Sequence, residues 1–132
     1  MSLINRKTDY ALRALVFIAA NNQAITTTND LIEHLKLPRP FLRKILQVLN
    51  RKKILKSHKG NRGGVSLAMP ADKIFLLDLV KIFQGPFDLN ECLFKKKLCP
   101  GARGCRIKKK LDDIEAYVIS QLESISVASL LK

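Results

Sequence analysis

Pro38-Arg39-Pro40-Phe41-Leu42-Arg43-Lys44-Ile45-Leu46-Gln47-Val48-Leu49-Asn50-Arg51-Lys52 is the stretch on which the fold turns. Phe41, Leu42, Ile45, Leu46, Val48 and Leu49 recur at helical spacing and make one broad apolar side. Arg39, Arg43, Lys44, Gln47 and Arg51 fall together on the other. Pro40 suits a first helical turn, where a missing N–H costs little. Upstream, Lys36-Leu37-Pro38 reads as a tight turn after a short helix from Asn29 to about Leu35. Thr27 is placed to cap that helix, with Asp30 three residues on. Downstream, Ile54–His58 reads as a strand, Lys59-Gly60-Asn61-Arg62-Gly63-Gly64 as a turn, and Val65–Met69 as a returning strand ended by Pro70. Two short helices, a tight turn and a two-stranded hairpin make a winged helix-turn-helix. The fold class expected is mainly α with a small β-hairpin.

That arrangement has a chemical use. The major groove of DNA admits one α-helix and displays distinct base edges. Arg43, Lys44 and Gln47 stand where base edges or phosphates would be met; Arg can bond guanine bidentately and Gln adenine. Arg39 and the N–H groups opening the helix suit phosphate. At the hairpin tip His58, Lys59, Asn61 and Arg62 are candidates too, because an Arg on a narrow loop suits the negative potential of the minor groove. Charge supports the same partner. The 132-residue chain carries a formal charge of +13. From His34 through Ala71 it has no Asp or Glu, while Lys36, Arg39, Arg43, Lys44, Arg51, Lys52, Lys53, Lys56, Lys59 and Arg62 crowd into that span. A solvated face ordinarily mixes signs; this pattern favours double-stranded nucleic acid.

The rest of the chain frames this reader. A core helix is expected from about Lys7 to Asn21, a fourth helix from about Leu76 to Gln84 closed by Gly85-Pro86, and a longer one from Lys108 to about Glu123. In the last, Leu111, Ile114, Val118, Leu122 and Ile125 form a stripe suited to a core face or to a seam with a second copy. The expected division is 1–85 for the DNA-binding winged helix, 86–106 for a cysteine-bearing loop, and 107–132 for a dimerisation helix and closing turn. With 47% hydrophobic residues the chain can bury a core. No stretch approaches the roughly 20 apolar residues that span a bilayer, and Asp9 and Arg13 interrupt the apolar residues near the start, so no membrane role and a cytoplasmic setting are expected. No Ser/His/Asp arrangement and no strand–glycine loop–helix phosphate cradle is present, which argues against an enzyme.

Cys92, Cys99 and Cys105 are separated by six and then five residues. An odd count in a reducing compartment argues against a disulfide framework, and the spacing is not the paired Cys-x2-Cys of zinc ribbons. Lys95, Lys96, Lys97, Arg103 and Arg106 nearby would lower thiol pKa and offset the charge of a bound cluster. A soft metal or an iron–sulfur cluster fits three thiolates, with one position left over. No His lies in this loop. Asp9, Glu91, an exogenous thiol or water are the alternatives for the fourth ligand. Asp9 also has a plain reading, as a carboxylate near a helix start with Arg13 one turn later.

The chain resembles the IscR/NsrR/RirA family of bacterial winged-helix regulators. The resemblance runs through Thr8-Asp9-Tyr10-Ala11-Leu12-Arg13-Ala14-Leu15, Phe41-Leu42-Arg43-Lys44-Ile45-Leu46, Gly60-Asn61-Arg62-Gly63-Gly64-Val65-Ser66-Leu67 and the three-cysteine loop. It implies a homodimer with crossed C-terminal helices, an iron–sulfur cluster on the three cysteines, and promoter binding altered by nitric oxide, redox or iron status. IscR-like members carry a His shortly after the third cysteine, where this chain reads Arg106-Ile107-Lys108. NsrR-like members use an Asp from the partner's first helix, a position matched by Asp9; this favours a four-iron over a two-iron cluster. The first cysteine gap is one residue longer than in IscR-like chains. The function expected is a cluster-gated transcriptional regulator, a repressor. The alternatives are a cluster-free thiol or zinc switch, and a regulatory subunit that docks on an enzyme as its protein partner.

Overall fold

Asn5 opens the first helix of the computed structural model by accepting a hydrogen bond from the Thr8 backbone N–H at 2.8 Å. The structure describes residues 3–21, 24–60, 63–85 and 106–131. Asn61, Arg62, Cys92, Cys99 and Cys105 lie outside the described residues, as does most of the loop expected at 86–106. Helix α1 runs Arg6–Ala20 and buries Ala11, Ala14, Leu15 and Ile18. Helix α2, Thr28–Leu35, starts as its sequence demands, with the Thr27 hydroxyl accepting from the Asp30 N–H at 3.1 Å. It stops at Lys36, whose left-handed backbone (φ 56°) turns the chain. Helix α3, Arg39–Arg51, follows Pro38 and carries Pro40 in its first turn. Leu42, Ile45, Leu46 and Leu49 go into the core and leave Arg39, Arg43, Lys44, Gln47 and Arg51 in water.

Strands β1, Leu55–His58, and β2, Gly64–Leu67, pair antiparallel, with Leu55 opposite Leu67 and His58 opposite Gly64. Each is one residue shorter than its alternation predicts; β1 starts at Leu55, with the Ile54 N–H taken by the Leu49 carbonyl at the end of α3, and β2 starts at Gly64 and ends at Leu67. The wing is anchored at its base. Thr26, just before α2, exchanges two backbone hydrogen bonds with Val65, both 2.8 Å. A 3-10 turn at Ala71–Lys73 leads to α4, Leu76–Gln84, which ends at Gly85 with φ 84°.

Helix α5 covers Arg106–Ser124, and a 3-10 turn at Ala128–Leu130 follows it. The chain then returns to the reader: Leu76 N–H donates to the Ile125 carbonyl, Val127 N–H donates to the Ile74 carbonyl, and Val127 is fully buried in the main core. The apolar stripe of α5 divides in two. Val118, Leu122 and Ile125 pack with Leu76, Leu77 and Val80 of α4. Toward the other end Ile107, Ile114 and Tyr117 are 70%, 52% and 65% exposed. No helix among the described residues is long and apolar enough to cross a membrane.

Candidate nucleic-acid interface

The wing folds back toward α3 and leaves a cleft of about 470 Å³ between them. Arg43, Gln47 and Asn50 come from α3, His58 and Lys59 from the hairpin, and Thr28 from the first turn of α2. Residues three, four and seven apart share a helix flank, so Arg43, Gln47 and Asn50 form one row. His58 is held in place by its Nε2, 2.8 Å from Ser66 Oγ on the neighbouring strand. Lys59 is exposed at the turn. The described lining carries Arg43 and Lys59 as cations and no carboxylate. Such a cleft offers guanidinium, amide, imidazole and ammonium groups to a polyanion with a polar edge.

Not every expected residue lies here. Lys44 follows Arg43 by one position, which on a helix is a different flank. It lines a second cleft with Lys7, Phe41 and Val48. Arg39 stands at the start of α3, its Nη2 donating to Asn29 Oδ1 at 2.7 Å. Asn61 and Arg62 fall outside the described residues. Thr28 and Asn50 join the cleft, and Asn29 holds Arg39, without having been singled out from sequence. Asn50 could have been found by extending the Arg43–Gln47 row one turn; Thr28 enters only because the fold brings the start of α2 to the cleft.

Asp9 is elsewhere. Its Oδ2 accepts from Arg13 Nε at 3.0 Å, and its side chain is 35% exposed. It stands on an open groove of about 700 Å³ along the outer side of α1, lined also by Tyr10, Phe17, Leu35 and Leu130. His34 stacks on Phe17 in this groove, with ring centroids 4.4 Å apart, and so belongs to the α1 side rather than to the wing cleft. The first turn of α1 is tied to the last residue of α4. Gln84 Oε1 accepts from the Asn5 backbone N–H at 2.7 Å, and the buried Thr8 hydroxyl lies 2.7 Å from the same oxygen and 2.9 Å from Asn5 Oδ1. One hydroxyl proton thus faces two acceptors. Among the described residues no three His, Cys, Asp or Glu side chains converge as a metal site; the three cysteines are not among them.

Comparison with known proteins agrees with this geometry. The chain is 28% identical over 131 residues to the HTH-type transcriptional regulator NsrR of Oceanobacillus iheyensis, an alignment covering 98% of this chain and 89% of that one. Its fold matches CymR, the global cysteine regulator of B. subtilis, with a TM-score of 0.79 at 24% identity, covering 98% and 96% of the two chains. It also matches IscR of T. potens, with a TM-score of 0.69 at 21% identity and coverage of 95% and 82%. The family model for Rrf2, described as an iron-dependent transcriptional regulator, matches residues 4–132. The chain therefore belongs to the Rrf2 family, and is a winged-helix, DNA-binding transcriptional regulator rather than an enzyme.

Proposed function

We propose that the protein is a homodimeric repressor of the bacterial cytoplasm whose affinity for its operator is set by an iron–sulfur cluster. Cys92, Cys99 and Cys105 would hold the cluster, four-iron in preference to two-iron, with Asp9 of the partner subunit as fourth ligand. The observation that carries the reading is the Gln84 link. The residue that ends α4, before the stretch bearing the cysteines, is hydrogen-bonded to Asn5 and beside Thr8, one position from Asp9. A change beyond Gly85 is therefore linked to the same chain's α1, whose Asp9 would in a symmetric dimer serve the partner's cluster. Three thiols plus one carboxylate make a donor set that suits such a cluster. The ion pair of Asp9 uses Oδ2, so a carboxylate oxygen is left to donate. The exposed Ile107, Ile114 and Tyr117 suit a seam between two copies, and two readers on one seam suit half-sites a DNA turn apart.

On this reading Arg43, Lys44 and Gln47 read base edges or phosphates, Arg39 grips phosphate, and His58, Lys59, Asn61 and Arg62 serve the wing contact. A coupling of about 1–3 kcal/mol between cluster and operator would give a useful regulatory ratio. The test is anaerobic purification with visible spectra and iron and sulfide counts, followed by nitric oxide titration on operator DNA. Brown protein, and colourless Cys99→Ala protein with altered operator affinity, are expected. Colourless wild-type protein under ordinary iron supply would overturn the reading. The absence of His after Cys105, in Arg106-Ile107-Lys108, keeps a cluster-free zinc or thiol switch as the second reading. Zinc or a reversible disulfide in stoichiometry with the three thiols would then be found instead.

A further inference from the structure

The flank of α3 turned away from the wing is also concave, and its chemistry differs from that of the wing cleft. Phe41 and Val48 of α3 face Ile82 and Phe83 of α4 across a cavity of about 190 Å³. Beyond Ile82, which lines both, a second cavity of about 330 Å³ continues over Met69 to Lys52. The two cavities adjoin at Ile82 and make a stepped trough: the first lies between α3 and α4, the second between α4, the 3-10 turn and the segment that follows α3. Its floor residues Phe41, Val48, Met69, Ile82 and Phe83 are all only half-buried, although each belongs by type in a core. Its rim is cationic: Lys7 and Lys44 at one end, Lys52, Lys73 and Lys81 at the other, every one exposed. The single carboxylate of the lining is Asp78. None of the five lysines has an ion-pair partner among the described residues.

These features select the ligand. A phosphodiester backbone would meet the lysines but would gain nothing from a floor of Phe, Ile and Met. A lone small carboxylate would engage one or two cations and leave the rest of the trough open. An amphipathic helix fits both parts: apolar residues at i, i+4 and i+7 on the floor, Asp and Glu along the sides. Covering exposed apolar surface favours binding, and five cations against one carboxylate attract an acidic partner and speed its encounter. We propose that the trough made by these two adjoining cavities along α4 docks an acidic amphipathic segment of a partner protein. Phe41 and Val48 lie on a different side of α3 from Arg43, Gln47 and Asn50. The row of Arg43, Gln47 and Asn50 could then be held by DNA while the trough holds the protein partner, with Lys44 alone shared between the two.

The test uses the full chain and a fluorescent peptide of about 15 residues, roughly four helical turns, with Leu and Phe at i, i+4 and i+7 and Glu and Asp on the flanks. Anisotropy should show saturable binding that weakens as salt is raised. Lys73→Glu/Lys81→Glu should weaken it about tenfold and Phe83→Ala about threefold, estimates from loss of surface charge pairs and of one apolar contact. Operator affinity of the double lysine variant should stay within about twofold of the parent, since neither lysine lines the wing cleft. Four results would overturn the proposal. One is equal binding of a scrambled peptide of the same composition. Another is unchanged peptide binding by the lysine variant. A third is loss of operator affinity parallel to loss of peptide affinity, which would make the trough a nucleic-acid surface. The last is a changed sedimentation coefficient for the lysine variant, which would make it an interface with a second copy.

Discussion

At the scale of single residues, two backbone positions carry more constraint than their types reveal. Lys53 follows α3 with φ 63°, in the left-handed region, where a side chain costs about 1–2 kcal/mol. Lys53→Gly should raise stability by about 0.5–1 kcal/mol, once the extra freedom of glycine in the unfolded chain is subtracted. Thermal melting checks it. Gly64 needs no special φ; it needs room. A Cβ there would lie 2.2 Å from the Thr26 carbonyl oxygen, which is backbone and cannot swing aside. Gly64→Ala should break the Thr26–Val65 rungs and cost about 2 kcal/mol or more. Faster hydrogen exchange at the Val65 and Thr26 amides, with the α1 core still protected, is the expected result. The first of these constraints is invisible in sequence, since nothing in Arg-Lys-Lys-Ile marks the second lysine as left-handed. The second is half legible: the paired glycines announce a turn, but the neighbour that forbids a methyl group comes from 38 positions upstream.

At the scale of elements, α3 has separate working sides. Arg43 and Gln47 look into the wing cleft, and Lys44 looks across Phe41 toward α4. Removing Arg43 should cost about 1–3 kcal/mol on the operator and relax discrimination between related sequences. Lys59→Ala should instead weaken binding on all duplexes alike and flatten the slope of log K against log salt by about one unit. Binding isotherms on operator and random duplex at several salt concentrations separate the two. Element ends were readable where the chemistry is local. Thr27 with Asp30 starts α2, the prolines start α3, and α4 occupies the expected Leu76–Gln84 because Gly85 ends it. What the periodicity of α5 left open was which part of its stripe is core. The answer depends on α4, which covers Val118 and Leu122 and leaves Ile114 and Tyr117 bare.

At the scale of the molecule, the bare end of α5 is where association is expected. Ile114→Glu/Tyr117→Glu should leave the helical circular dichroism of the chain in place, since both side chains are more than half exposed. Sedimentation should report a monomer, with operator affinity reduced about 100-fold or more as the two half-sites lose their linkage. A variant that sediments as the parent does would remove that face from the seam. The amino-acid sequence by itself determined the class of fold, the DNA-binding chemistry and the family, because those rest on short-range periodicity, capping residues, a run of uncompensated cations and motifs carried on contiguous residues. Tertiary structure alone decided that Asn29 tethers Arg39, that Thr28 enters the wing cleft, that the flank bearing Lys44 faces α4, that Gln84 ties the end of α4 to the start of α1, and that Val127 closes the reader's core. Each of those facts joins residues through packing across the chain, and helical or strand periodicity carries no information about which element will lie beside which.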